Sequence, residues 1–226
     1  MNHRMPSPRR ERGAALLVAL TRISATHPGF DGPDGASVRS SPDEELGSLM
    51  FDPDRPGTVA HSVQAMVASA MSTRDQMSGD TFTVLTVLER EVLGVLPLPD
   101  GTWRAPGRGS IGRVMTGLLA LQGLGAESLV RNDGWDLLDA GRRLERGQQL
   151  LRLLRATVIE QRRTSTDALL FESVLTASES IITYRRRYRS RAQLSTLLDL
   201  RLPLSFDVED CGVLARIVRE ELERRA

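Results

Sequence analysis

Apolar side chains return every three or four positions along most of this chain and strand-like alternation hardly appears, so the pattern predicts helices. The first is expected over Arg9 to Ile23, and the Gly, Pro, Ser and Asp gathered from Ser24 to Asp43 read as a loop. A short helix around Asp43 to Met50 ends before Asp52-Pro-Asp-Arg-Pro-Gly57, where two prolines and a glycine stop it. From Thr58 to Asp75, Val63, Met66, Val67, Ala70 and Met71 share one helical face. Ser78 or Asp80 caps the next helix, which carries Phe82, Leu85, Leu88 and Val92 and closes at Pro97, Pro99 and Gly101. Residues 97–110 form a second loop, followed by a glycine-punctuated helix from Ile111 to Leu129.

Asn132 or Asp133 offers the N-cap of a central helix of about 28 residues, roughly 40 Å long. Leu137, Ala140, Gly141, Leu144, Leu151 and Leu154 fall on one side of it and are expected to face a core. Glu145 lands about 80° from Leu137, on the shoulder of that stripe, and is expected to be half-buried. Two readings stay open. In one, Glu145 pairs locally with Arg142 for a few tenths of a kcal/mol. In the other, an arginine from a second helix grips it bidentately, so that removing one partner costs about 3 to 5 kcal/mol. A further helix is predicted from Thr166 to Arg191, with Leu169, Leu170, Val174, Ala177, Ile181 and Tyr184 inward. It ends in Tyr184-Arg-Arg-Arg-Tyr-Arg-Ser-Arg191, where Tyr184 and Tyr188 share a face and Arg185 and Arg187 flank them. These arginines either complement the helix dipole or hold a carboxylate or phosphate ligand. Leu194 to Leu200 and, past Pro203, a terminal helix from about Asp207 to Arg224 complete the survey.

A weak internal repeat runs through the pattern. Glu11-Arg12 answers Glu145-Arg146, while Ser62-Val63, Ser69 and Arg74 answer Ser173-Val174, Ser180 and Arg185 at the same mutual spacing. The expected fold is therefore all-α, a single helical bundle of about seven to nine helices over residues 1–226 with a pseudo-two-fold duplication. In it Glu11 and Glu145 approach the axis, with Arg12, Arg74, Arg146 and Arg185 as their partners.

Composition narrows the chemistry. The 226 residues carry a net charge of only +1, without the basic excess of a dedicated nucleic-acid binder, so no nucleic-acid partner is expected. Every basic residue is arginine, which a GC-rich coding sequence explains most simply. Cys211 stands alone, and His3, His27 and His61 are scattered without ligand partners, so neither a metal site nor a cofactor is expected. No apolar run approaches the ~20 residues of a membrane span. Arg9-Arg10 ahead of Ala14 to Leu20 imitates a twin-arginine export signal, but Arg22 follows and no small-residue cleavage site is clear, so the expected location is the cytoplasm.

The segment Arg131-Asn-Asp-Gly-Trp-Asp-Leu-Leu-Asp-Ala-Gly-Arg-Arg-Leu-Glu-Arg146, with Thr183-Tyr-Arg-Arg-Arg-Tyr-Arg189 and Leu197-Leu-Asp-Leu200, resembles the bacterial alpha-E domain family, all-helical proteins with a Glu-Arg motif. The likeness covers Val59 to about Leu200 and is closest to the version fused behind a circularly permuted ATP-grasp domain. It implies a helical domain that works with an ATP-grasp ligase in peptide synthesis or modification. The family's aromatic-rich first helix is only half present before Glu11, and the stretch from Leu200 to Phe206 replaces its usual acidic turn. The chain is accordingly read as shortened at both ends, as a piece of a longer fusion or a reduced paralogue. Trp135, Asp136, Arg142, Glu145 and Arg146 of the central motif join Glu11, Arg12, Arg74, Tyr184, Arg185, Arg187 and Tyr188 as candidate site residues. The first expectation is an accessory module that binds the ATP-grasp protein or its peptide or carboxylate substrate. Two alternatives are a stand-alone amide-forming or amide-cleaving enzyme with Glu145 as general base, and a degenerate paralogue whose Glu-Arg core is purely structural.

Overall fold

The computed structural model describes residues 7–27, 29–30, 41–127, 129–159 and 162–199. Among them every regular element is helical: α1 (Pro8–Ser24), α2 (Pro42–Phe51), α3 (Val59–Ser72), α4 (Gly79–Leu93), α5 (Arg108–Glu127), α6 (Asp133–Thr157), α7 (Thr164–Ala177), α8 (Ile181–Tyr188) and α9 (Leu194–Asp199). A single 3-10 turn, Arg74–Gln76, follows α3. The all-α class read from the sequence is the observed one. The terminal helix expected past Pro203 lies outside the described residues.

Local chemistry sets the starts. Ser41 accepts from the Glu44 N–H at 3.2 Å with Pro42 in the first turn, and Thr58 accepts from the His61 N–H at 3.1 Å. Where the sequence left two caps open, the structure selects Ser78 for α4, bonded to the Thr81 N–H at 3.3 Å, and the Asn132 carbonyl side-chain oxygen for α6, bonded to the Trp135 N–H at 3.1 Å. Asn132 and Ser78 win over their acidic neighbours because a cap must stand outside the helix, two or three residues before the N–H it satisfies.

The helix expected from Thr166 to Arg191 is two helices. Glu179 adopts a left-handed φ of 54°, and the Ser180 N–H returns to the Leu175 carbonyl at 2.8 Å, which closes α7 before α8 begins. Apolar spacing could not reveal this break, because Leu170, Val174 and Tyr184 are buried on either side of it as one continuous helix would have had them.

The chain forms two compact units, one from residues 1–23 and 139–226 and the other from residues 24–138. In the first, Phe171 and Leu175 of α7, Tyr184 of α8, Leu197 of α9, Val158 and Ala192 make the core, with Leu150 and Leu154 of α6 against it. In the second, Met50, Phe51, Ala60, Val63, Leu88, Val92 and Val114 bring α2, α3, α4 and α5 together, and Trp103 packs on Phe51. Gly47 is required there: a Cβ would stand 2.6 Å from the carbonyl oxygens of Trp103 and Arg104, which seats the loop between α4 and α5 on α2; that loop ends before Arg108, not at residue 110 as expected. Within that loop Asp100 accepts from the Thr102 hydroxyl at 2.7 Å and from its N–H at 3.0 Å, and these bonds hold its pKa below the ordinary value.

The apolar stripe of α6 is corrected in part. Leu151 and Leu154 are half-buried as expected, but Leu137 is 74% and Leu144 57% exposed, and Ala140 and Gly141 are exposed with them. Spacing selects the side of a helix that suits burial; only packing decides which turns of that side are covered.

Candidate functional site

The first Glu-Arg pair lies on α1 in the first unit. Glu11 reaches the start of α7, where the Arg163 guanidinium donates to Glu11 Oε2 at 2.6 Å through Nη2 and 3.1 Å through Nε, and the Thr166 hydroxyl donates to the same oxygen at 2.7 Å. Thr166 is itself buried, and its bond, ahead of the Arg163 guanidinium, holds the Glu11 pKa below the ordinary glutamate value. Near the other end of the same helix, Arg152 of α6 donates to the Ile23 carbonyl at 3.2 Å. Arg12 is half-buried, and its Nε has no hydrogen-bond partner among the described residues. The guanidinium that holds Glu11 is thus none of Arg12, Arg146 and Arg185, the expected partners within this unit, but Arg163. Nothing in the sequence marked it, since the two residues stand 152 positions apart.

The Glu145-Arg146 pair of the central motif behaves differently. Glu145 is exposed, and its carboxylate accepts from Gln149 Nε2 at 2.6 Å, one turn along α6. The half-burial expected at this position is therefore corrected, because from Leu137 to Arg146 only Asp139 is partly covered. The local ion pair of this stretch is Arg143 with Asp139 at 2.6 Å, while Arg142 and Arg146 are exposed and meet no carboxylate among the described residues. Neither open reading of Glu145, local pairing with Arg142 or a cross-helix arginine, describes the geometry.

The end of α8 is built on two tyrosines. Tyr184 is buried, and its hydroxyl bonds the Arg191 carbonyl at 3.1 Å and the Thr196 hydroxyl. Tyr188 stacks on Tyr184 at a ring separation of 5.0 Å, and the Arg187 guanidinium lies 5.4 Å from the Tyr188 ring centre. Arg185 is exposed. The shared face expected for the two tyrosines is present.

The remaining candidates belong to the second unit. Arg74 lies over the Phe82 ring at 5.1 Å, and Arg131 over the Trp135 ring at 5.1 Å, so each guanidinium is engaged by an aromatic face. Asp136 is exposed in the first turn of α6, where a negative charge suits the helix dipole. Sequence reasoning missed the most enclosed ion pair of this unit. The Glu45 side chain is fully buried on α2, and Arg55 donates to it at 2.7 Å, to the Thr26 carbonyl at 2.6 Å and to Ser48 Oγ at 3.0 Å. The only available signal was an acid on the apolar face of a short helix, followed ten residues later by an arginine in a Pro-Gly turn.

The family model described as "a predicted alpha-helical domain with a conserved ER motif" matches residues 2–203. The chain belongs to the Alpha-E family. Three Glu-Arg pairs of this Alpha-E chain, Glu11-Arg12, Glu89-Arg90 and Glu145-Arg146, fall within the match, and of these only the α1 pair has its carboxylate held by a guanidinium among the described residues. Similar relatives are the uncharacterized protein Rv2567 of Mycobacterium tuberculosis strain H37Rv and the uncharacterized protein Mb2597 of Mycobacterium bovis, each 33% identical over 216 residues. The match takes in 92% of this chain and 24% of either relative, so the Alpha-E chain spans about a quarter of their length. No solved structure matches it. Among the described residues no helix is long and apolar enough to cross a membrane.

Proposed function

We propose that this Alpha-E chain is an accessory helical module of an ATP-grasp-linked peptide synthesis or modification system, and that it binds the ligase or its peptide or carboxylate substrate. The observation that carries the reading is the match of residues 2–203 to a helical family with a conserved Glu-Arg motif. The link to an ATP-grasp partner comes from the motif resemblance. The site geometry supports a binding role because α8 ends in exposed arginines on a fixed tyrosine base, whereas Glu145 contacts a glutamine rather than a nucleophile.

The structural alternative has support at Glu11. Its carboxylate is taken up by Arg163 and Thr166, a role that fastens α1 to the start of α7.

The test is co-purification of the full chain with the cognate circularly permuted ATP-grasp protein, followed by ligase turnover with and without the chain. Stimulated turnover, retained in Glu145→Gln, supports the accessory role. Amide chemistry by the chain alone, abolished in a folded Glu145→Gln variant, overturns it in favour of an enzyme.

A further inference from the structure

Arg185, Arg186, Arg189 and Arg191 are all exposed, and none meets a carboxylate among the described residues. They do not hang from a loose tail. Arg189 takes a left-handed φ of 49° at the end of α8, and its N–H returns to the Arg185 carbonyl at 3.3 Å. The chain then doubles back, because the buried Tyr184 hydroxyl bonds the Arg191 carbonyl at 3.1 Å and pins the turn to the helix. Four like charges are thereby gathered at one helix end, where the negative pole of the helix dipole offsets part of their repulsion. A bound anion would relieve the rest.

We propose that this turn is a docking site for an acidic peptide segment whose carboxylates are gripped by the Arg185, Arg186, Arg189 and Arg191 guanidiniums. The proposal rests on the reading of the chain as a peptide-binding accessory module and names the substrate or partner chemistry. Guanidinium forks match carboxylates bidentately, and on an exposed surface several such bonds together give a useful affinity where one gives little. The patch extends roughly 10 Å, a few residues of extended peptide at about 3.3 Å each. A nucleic acid fits the site less well. Single strands need free aromatic faces for stacking, whereas Tyr184 is buried and Tyr188 is occupied by Tyr184 and the Arg187 guanidinium. The net charge of +1 also lacks the excess that tracks a phosphate backbone.

The test is fluorescence anisotropy of a labelled oligoglutamate peptide titrated with the full chain, beside oligolysine and a single-stranded oligodeoxynucleotide of matched charge. Oligoglutamate binds at low salt, weakens as salt rises, and outcompetes the oligonucleotide, while oligolysine stays free. The double variant R185E/R186E weakens binding by about ten-fold or more with helix content retained. Arg189→Gly removes one charge while suiting the left-handed backbone, so a few-fold loss there at unchanged melting temperature separates charge from folding. R108E, an exposed arginine on α5, leaves binding unchanged. Failure of oligoglutamate to bind at low salt, equal or tighter binding of the oligonucleotide, or full binding by a folded R185E/R186E protein overturns the proposal. No ligase enters this assay. Peptide binding with neither ligase association nor any change in ligase turnover therefore sinks the accessory reading alone, and ligase association without peptide binding sinks the docking site alone.

Discussion

Glu11 and Arg163 stand 152 positions apart and meet at 2.6 Å, with Thr166 completing the grip on one carboxylate oxygen. This contact, with the Arg152 bond to Ile23, fastens α1 to the unit formed by the C-terminal helices. The bonds lower the Glu11 pKa in the folded chain, so their contribution is complete above the ordinary glutamate value of about 4.3 and is lost as pH falls through the lower folded value. Hydrogen exchange across α1 is expected to accelerate as pH is lowered below about 4, after correction for intrinsic rates. In Glu11→Gln, α1 exchanges faster at neutral pH and that acid-dependent component disappears. Identical pH profiles for the two proteins would show that the contact does not hold α1.

Arg55→Ala leaves the fully buried Glu45 carboxylate without its guanidinium and is expected to cost about 3 to 5 kcal/mol in urea unfolding. Replacing both residues by methionine recovers most of that loss, because the penalty lies in the charge left behind rather than in the pair itself. A double variant no more stable than the single one would refute the account.

Two glycine substitutions of equal size are expected to act in opposite directions. Gly47→Ala puts a methyl 2.6 Å from two backbone carbonyl oxygens and destabilises by about 1 to 3 kcal/mol. Gly112→Ala, where nothing lies within 4 Å of the new Cβ, stabilises α5 by about 0.5 to 1 kcal/mol. Denaturant midpoints of the two variants decide it.

Glu145→Gln is expected to change stability by no more than about 0.5 kcal/mol, since the side chain is exposed and its observed partner is Gln149. A large loss would reinstate a buried arginine partner for this residue.

The helical class, the starts of α4 and α6 to within a residue or two, and the buried positions Val63, Leu85, Leu88, Val92, Leu170 and Val174 were all legible in the sequence. Each depends on neighbours within one or two turns, and local spacing records those. The break at Glu179 escaped because a left-handed turn at a residue other than glycine leaves no compositional mark.

What the sequence determined by itself is membership and pattern: a Glu-Arg helical family, helices throughout, and the likeness in local setting between Glu11-Arg12 and Glu145-Arg146. What tertiary structure alone decided is which carboxylate is used. Glu11 is held by Arg163 and the hydroxyl of a buried Thr166, whereas Glu145 stays in solvent beside Gln149. Helical periodicity fixes the direction in which a side chain leaves its own helix, but a salt bridge between helices also depends on where the other backbone has been placed. That placement comes from the packing of Phe171, Leu175, Tyr184 and Leu197 far along the chain, and no short motif encodes it.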